Sequence, residues 1–578
     1  MYNNIISQIL PQITIDKIIV NQEDFNEILN RPWRTSSATE IVNAFKNVLE
    51  YCQKNNITVS DVRFDSLVDG LMDHCEKLTD NELIELLSCL VEYPDCSSYK
   101  EHNFHDIWSC LDDICCWKLP TWSIERIFTV ANLWYQLHLN KYCDFIYISL
   151  DRLIKKSSEL TKDQLVHIFF LYNVCRLNSI NFEYEYALEN KVKEMNVDEL
   201  GVIALGYFKS KTKIKLPSIC EAMIKEVSFN SKYVNEITLA AIMKALRFTH
   251  SSKLLPGIRD MMDNLYPEID RFSTFCCLQI ALLLSVYGYL HEGIIDKISY
   301  KLLCVMDQLR LKDIERILHV LSTFNYVPKL DQDFVDLAYK EIHKPSRMSE
   351  IDDYPRCLPC ALNYLSLLGR YSYTYMDKLL DTDYITRMFG KAARYVPREI
   401  LSLDSCIEIE CADYKGKRLA PHLKYKCVKW HTEYAPTELQ FKKTAANELF
   451  MDVLEAIKAI VKNEENIFIH HILPHFSKAS IVICKDVKTD TFVKPMGFQK
   501  YILGDVMVPF NDTSLMWFAV MLVNWNNTLR NTNLPLGFAL MQERHLKKIG
   551  YKPVQVIGNE FIKLSPEGKQ RYLSAKLK

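Results

Sequence analysis

From about Asp65 to about Tyr375 short polar clusters precede amphipathic apolar runs, recurring every 35 to 42 residues or so. The clusters include Leu78-Thr79-Asp80-Asn81-Glu82, Leu119-Pro120-Thr121-Trp122-Ser123, Leu160-Thr161-Lys162-Asp163-Gln164, Met195-Asn196-Val197-Asp198-Glu199, Val234-Asn235, Phe272-Ser273 and Leu311-Lys312-Asp313. Thr79 with Glu82, Thr161 with Gln164 and Asn196 with Glu199 have the spacing of capping boxes. In each, the first side chain bonds a free N–H of the opening turn and the second reciprocates. The apolar residue before each cap is placed to act as a staple. Ile314, Ile317, Leu318, Val320 and Leu321 then fall on one helical face. A period near 38 holds two helices and their turns, and such units bury their apolar faces by stacking. The pattern predicts a mostly α chain built as a helical-repeat solenoid.

The last sixty or so residues change character. Leu515–Val523 is an apolar run with no polar face, which suits a central strand covered on both sides. Phe538 to Ile549 reads as a helix closed by Gly550, with Lys547 and Lys548 in its last turn. Pro553 to Ile557 reads as a strand, and a basic segment from Glu567 to Lys578 ends the chain. Strand–helix–strand order predicts a small α/β layer. Upstream, Glu433 to Lys462 reads as one amphipathic helix, interrupted near Pro436. Ala479–Cys484 and Ile502–Val508 read as strands around a Lys494-Pro495-Met496-Gly497 turn.

Composition narrows the picture. Hydrophobic residues make up 48% and charged residues 25% of 578, and only 15 glycines disfavour an all-β class. Net charge is −2, but Leu401 to Lys578 holds 25 Lys and Arg against 18 Asp and Glu. An anionic partner is therefore expected at that end, against the plainer reading of a solvated basic face. The 19 cysteines, mostly on apolar runs, suit a reducing compartment. Cys357-Leu358-Pro359-Cys360 has no second pair at zinc-ribbon spacing, and Pro474 breaks any helix aligning His471 with His475, so no metal is expected. Phe275 to Leu290 contains Gln279 and Ser285 and reads as a core helix, not a membrane span. Met1 to Val20 carries one Lys and no Arg, unlike a mitochondrial presequence.

Leu546-x-x-x-Gly550-Tyr551, the valine-rich strand after it, the Asn559-Glu560-Phe561 corner and Tyr572-Leu573 resemble the RAP domain that ends proteins of the FAST kinase domain-containing family. Leu401 to Leu419, a leucine-rich run with Asp404 before a Tyr414-x-Gly416-x-x-Leu419 turn, resembles the second FAST module of that family. The resemblance covers about Leu401 to Lys578 closely and the helical array in general terms. It implies a restriction-endonuclease-like fold for the last domain. The expected division is a helical segment at 1–60, a repeat array at 61–395 with a first FAST module near 293–375, a second FAST module and linking helix at 396–475, and the RAP-like domain at 476–578.

Catalysis finds little support. The sequence has no kinase-type glycine loop, Walker A, His-Arg-Asp or Asp-Phe-Gly. A nuclease of the restriction type needs carboxylates and a lysine on adjacent elements to hold a metal and activate water. Where the family commonly has an acidic residue after the long strand, Asn524 and Trp525 stand here. Gln542 replaces a helix position often held by Lys, and Lys500 to Leu503 replaces an acidic segment. Asp505 and Asp512 remain as weak catalytic candidates. Backbone binding needs cations and donors, and unpaired bases need aromatic platforms. Tyr414, Lys415, Lys417, Arg418, Lys426 and Trp430 form one candidate set, and Arg544, His545, Lys547, Lys548 and Tyr551 a second. The resemblance implies a non-catalytic RNA-binding protein of the mitochondrial matrix. It would act in processing, stability or translation of mitochondrial transcripts, with no cofactor and with other RNA-processing proteins as possible associates. The alternatives are a helical protein-interaction scaffold and a divergent metal-dependent RNA nuclease. A mitochondrial location without a recognisable presequence implies a truncated or mature N-terminus.

Overall fold

The computed structural model describes residues 19–390, 396–436, 443–530 and 532–578. They form two compact units, divided between Asn264 and Leu265. The chain is mostly helical, with a five-stranded mixed sheet near its C-terminus.

In the first unit the capping boxes open helices where the sequence places them. Thr79 opens α2 (Asp80–Glu92), which packs on α1 (Ala38–Asn55) and α3 (Ile124–Gln136). Thr161 opens α4 (Lys162–Cys175) and Asn196 opens α5 (Val197–Lys209). The Asn196 amide donates to Glu199 Oε2 at 2.8 Å, while Asn196 Oδ1 accepts from the Glu199 amide at 3.0 Å. The staple residues Leu78, Leu160 and Met195 are buried. α5 lies between α4 and α6 (Glu236–Thr249), and two glycines allow the approach. A Cβ on Gly201 would lie 2.8 Å from Thr238 Cγ2, and one on Gly206 would lie 2.7 Å from the Phe169 carbonyl oxygen.

Between helix pairs the joints also recur. Asp112 accepts from the amides of Asp144 and Phe145, 32 and 33 residues on. Glu185 accepts from those of Lys215 and Leu216, 30 and 31 residues on. A carboxylate on one outer helix thus satisfies the free N–H groups that open the next, which a helix end needs.

In the second unit, helices α7 (Thr274–Tyr287), α8 (Leu311–Phe324), α9 (Cys357–Leu367) and α10 (Arg398–Glu410) pack in series. α7 holds the apolar run from Phe275 and is buried on nearly every side; among the described residues no helix is long and apolar enough to cross a membrane. α11 (Pro421–His431) and α12 (Ala445–Val461) lead to the sheet: β1 (Ile467–His470), β2 (Ser480–Asp486), β3 (Phe492–Val493), β4 (Leu515–Val523) and β5 (Lys552–Ile557). α13 (Gly537–Lys548) and α14 (Pro566–Lys576) complete it. The order is β1-β2-β4-β5, with β3 on β2; β2 and β4 are antiparallel, and β4 and β5 are parallel across α13.

β4 is therefore central, as its unbroken apolar run predicts. Its alternate residues serve two cores. Trp517, Ala519 and Met521 face Met541 and Leu546 of α13 together with Leu367 and Cys406 of α9 and α10. Phe518 and Val520 face Val453 and Ile457 of α12 and Leu573 of α14.

Two expectations are corrected. Ile502–Val508 forms no strand: Asp505 Oδ2 accepts the Ile502 amide at 2.9 Å to close a turn, and Gly504 sits at φ +113. The linking helix is shorter than Glu433 to Lys462: it starts at Ala445, capped by Thr444, while Glu433 pairs backbone with Ser477 and residues 437–442 lie outside the described chain.

Candidate nucleic-acid interface

The turn after α10 is built on Asp404, which is fully buried. Its Oδ1 accepts from Arg418 Nε at 2.7 Å and from the Leu419 amide at 3.0 Å, and its Oδ2 lies 3.0 Å from Lys424 Nζ. Burial by itself would raise the Asp404 pKa; Arg418, Lys424 and the amide outweigh it and hold the carboxyl below its ordinary range. Arg418 and Lys424 also share Glu408, at 2.7 and 2.8 Å. The Lys417 amide donates to Asp377 Oδ1 at 2.7 Å and its ammonium pairs with Asp381. A Cβ on Gly416 would lie 2.5 Å from Tyr414 Oη and 2.6 Å from that same Asp377 oxygen, so a side chain here would displace both of those groups from the turn. Tyr414 Oη donates to the Lys417 carbonyl at 3.0 Å. Arg418, Lys417 and Tyr414 thus hold the turn together.

What the turn presents is α11. Pro421 starts the helix, and Leu423, Cys427 and Val428 bury one side. His422, Tyr425, Lys426, Lys429 and Trp430 are exposed, three and four residues apart, so they share the opposite face. Trp430 is 63% exposed and Tyr425 42%, enough ring surface for a base to stack on. Lys426 and Lys429 make no ion pair among the described residues, and Lys415 is exposed nearby in the chain.

The second expected set is divided by the structure. Arg544 and His545 point into the molecule. Arg544 Nε bonds Glu410 Oε1 at 2.7 Å, and its terminal nitrogens donate to the carbonyls of Ser366 and Leu367, capping the C-terminal end of α9. His545, wholly buried, places Nε2 2.8 Å from the same Glu410 oxygen and Nδ1 3.0 Å from Nε2 of buried His475. Burial would raise the Glu410 carboxyl, but His545, Arg544 and Tyr371 hold it down at about 2. Burial lowers both histidines, and both are neutral at pH 7. Tyr551 is buried, with its hydroxyl on the Met507 carbonyl at 2.9 Å. Of these three, His545 and Tyr551 are buried, and Arg544 is half-buried on Glu410. Lys547 and Lys548 stay exposed, Lys547 on Glu543 at 2.6 Å.

Asp505 and Asp512 each cap their own turn, Asp512 by accepting from the Ser514 amide at 2.8 Å and hydroxyl at 2.7 Å. Asn524 and Gln542 share a pocket at the C-terminal end of β4, about 110 Å³ in volume and several times what one water needs. Phe450, Val520 and Leu522 line its depth, Phe476 and Phe538 one wall, and Asn527, Asn447 and Lys478 its rim. Uncharged amides cannot neutralise a divalent cation as carboxylates do, so the residues at these positions do not fit the metal of a restriction-type nuclease. The sequence signalled this pocket only through two substitutions 18 positions apart; Phe538 and Lys478 carried no signal.

No protein-family profile matches the chain. It is 25% identical over 403 residues to FAST kinase domain-containing protein 5, mitochondrial, of Macaca fascicularis, covering 68% of this chain and 50% of the relative. The Mus musculus protein of that name is 24% identical over 466 residues, covering 77% and 56%. FAST kinase domain-containing protein 2, mitochondrial, of Homo sapiens is 23% identical over 335 residues, covering 57% and 42%. The chain spans about half the length of the curated relatives it matches. Each of these relatives is named as a mitochondrial FAST kinase domain-containing protein, the family whose modules the stretch from Leu401 to Lys578 resembles.

Proposed function

We propose that this protein binds single-stranded RNA without cleaving it and acts in processing, stability or translation of mitochondrial transcripts. The observation that carries the reading is the exposed face of α11, where Tyr425 and Trp430 alternate with Lys426 and Lys429, which make no ion pair among the described residues. Cations meet phosphates and rings meet bases, the two requirements of single-strand binding. Lys415, Lys547 and Lys548 extend the charge. The recurring carboxylate joints support a stacked-repeat solenoid, and the β4–α13–β5 layer supports a RAP-like module. The uncharged pocket at Asn524 and Gln542 speaks for binding over hydrolysis.

The test is RNA affinity across a salt series, with and without Mg²⁺. Affinity should fall steeply with salt, and Lys426→Ala with Lys429→Ala should lower the log–log slope by about two. Absence of binding even at low salt refutes the reading and leaves a protein-binding scaffold. RNA loss that requires Mg²⁺ would establish the nuclease instead.

A further inference from the structure

The pocket at the end of β4 mixes apolar and amide side chains, and its lining ammonium is paired. Lys478 Nζ is paired with Glu433 and donates to Asn447 Oδ1 at 3.2 Å, so the rim offers no net charge to a phosphate. Among the described residues the side-chain amides of Asn524, Asn527 and Gln542 make no hydrogen bond. Each carries donors and an acceptor. Phe538 packs on Phe476 at 4.6 Å between ring centroids, has the Arg398 guanidinium over its ring at 5.6 Å, and keeps 36% of its surface exposed. A matching occupant is neutral, flat and edged with both donors and acceptors, which describes a nucleobase. Amide side chains read base edges in pairs of hydrogen bonds, and aromatic rings stack the base face.

We propose that this pocket takes one unstacked base of a bound RNA strand, stacked against Phe538, with its edge on Gln542 and Asn524. The assignment rests on the RNA-binding reading and adds to it the place where the protein senses a base.

The experiment measures binding of the full chain to a labelled single-stranded RNA at two salt concentrations. It compares wild type, Asn524→Ala/Gln542→Ala, Phe538→Ala and Lys426→Ala/Lys429→Ala. A parallel arm follows the fluorescence of 2-aminopurine placed at each position along the strand. The amide variant should bind about ten-fold more weakly with an unchanged salt slope, because base-edge contacts release no counterions. Wild type should quench 2-aminopurine at one position, and Phe538→Ala should abolish that quenching. The lysine variant should lower the log–log salt slope by about two and keep the quenched position. Should Phe538→Ala unfold, the amide variant decides, since its side chains hold no internal hydrogen bond. Wild-type RNA affinity retained within two-fold by the amide variant, or quenching unaltered by it, overturns the pocket and leaves RNA binding standing. A wild-type chain that binds no RNA at low salt overturns both.

Discussion

Arg544→Met tests the reading of the α13 joint most sharply. The substitution keeps an apolar stem and removes the guanidinium. Glu410, only 6% exposed at its side chain, then loses the donor at 2.7 Å, and the Ser366 and Leu367 carbonyls lose theirs. The Glu410 carboxyl sits at about 2 against an ordinary 4.5. At about 1.4 kcal/mol per pH unit that depression is worth about 3 kcal/mol in all, and it is shared among His545, Arg544 and Tyr371, so losing the guanidinium removes only part of it. The folded-state value is depressed, so the contribution is present above pH 4.5 and fades as pH falls toward 2. Urea unfolding of the full chain near pH 7 should show Arg544→Met less stable by about 2 kcal/mol, from part of the Glu410 stabilisation and the two carbonyl bonds, and the deficit should shrink steadily below pH 4.5. Adding Glu410→Gln should restore part of the loss, because a neutral amide needs no desolvation of charge and still accepts from His545. A single variant within 1 kcal/mol or so of wild type at neutral pH, or a double variant no better than the single, would show that the pair is not what joins α13 to α9 and α10.

Gly537→Ala places a Cβ 1.9 Å from the Ser322 carbonyl oxygen, and it should lower stability by about 1–3 kcal/mol or more through strain where α13 meets α8; an unchanged melting temperature would contradict this. Asp404→Asn leaves Arg418 and Lys424 facing a neutral group and should open the Tyr414–Leu419 turn, read as new proteolytic cleavage there. Thr161→Ala removes one capping box and should cost about 1 kcal/mol in urea unfolding. His167 stacks on Phe128 at 4.8 Å, and burial holds it at about 3 against 6.5. The unfolded chain therefore takes up the proton first, and stability should fall as pH drops below 6.5. His167→Phe should flatten that part of the pH–stability curve, and an equally steep curve would count against the buried neutral ring.

Local chemistry reached far into this fold. Thr79, Thr161 and Asn196 start helices because the cap bond forms between residues three apart, whatever lies beyond. Leu515–Val523 was legible as a central strand because nine apolar residues in a row need cover on both faces. Ile502–Val508 was not legible, since a strand exists only with a neighbour to bond, and here Asp505 closes a turn instead. The candidate site divides in the same way. Lys426 and Trp430 were legible as a basic and aromatic pair, but the helix that sets them on one face with Tyr425 and Lys429 appears only in the structure. Arg544 and His545 look like the same kind of surface residues on α13, and only the tertiary structure turns them toward Glu410, 134 residues away. The pocket joining Asn447, Asn524, Phe538 and Gln542 exists only once β4, α12 and α13 have met. Sequence sets which groups a segment carries and which local bonds it makes; charge pairing and burial across long separations decide which of them face solvent.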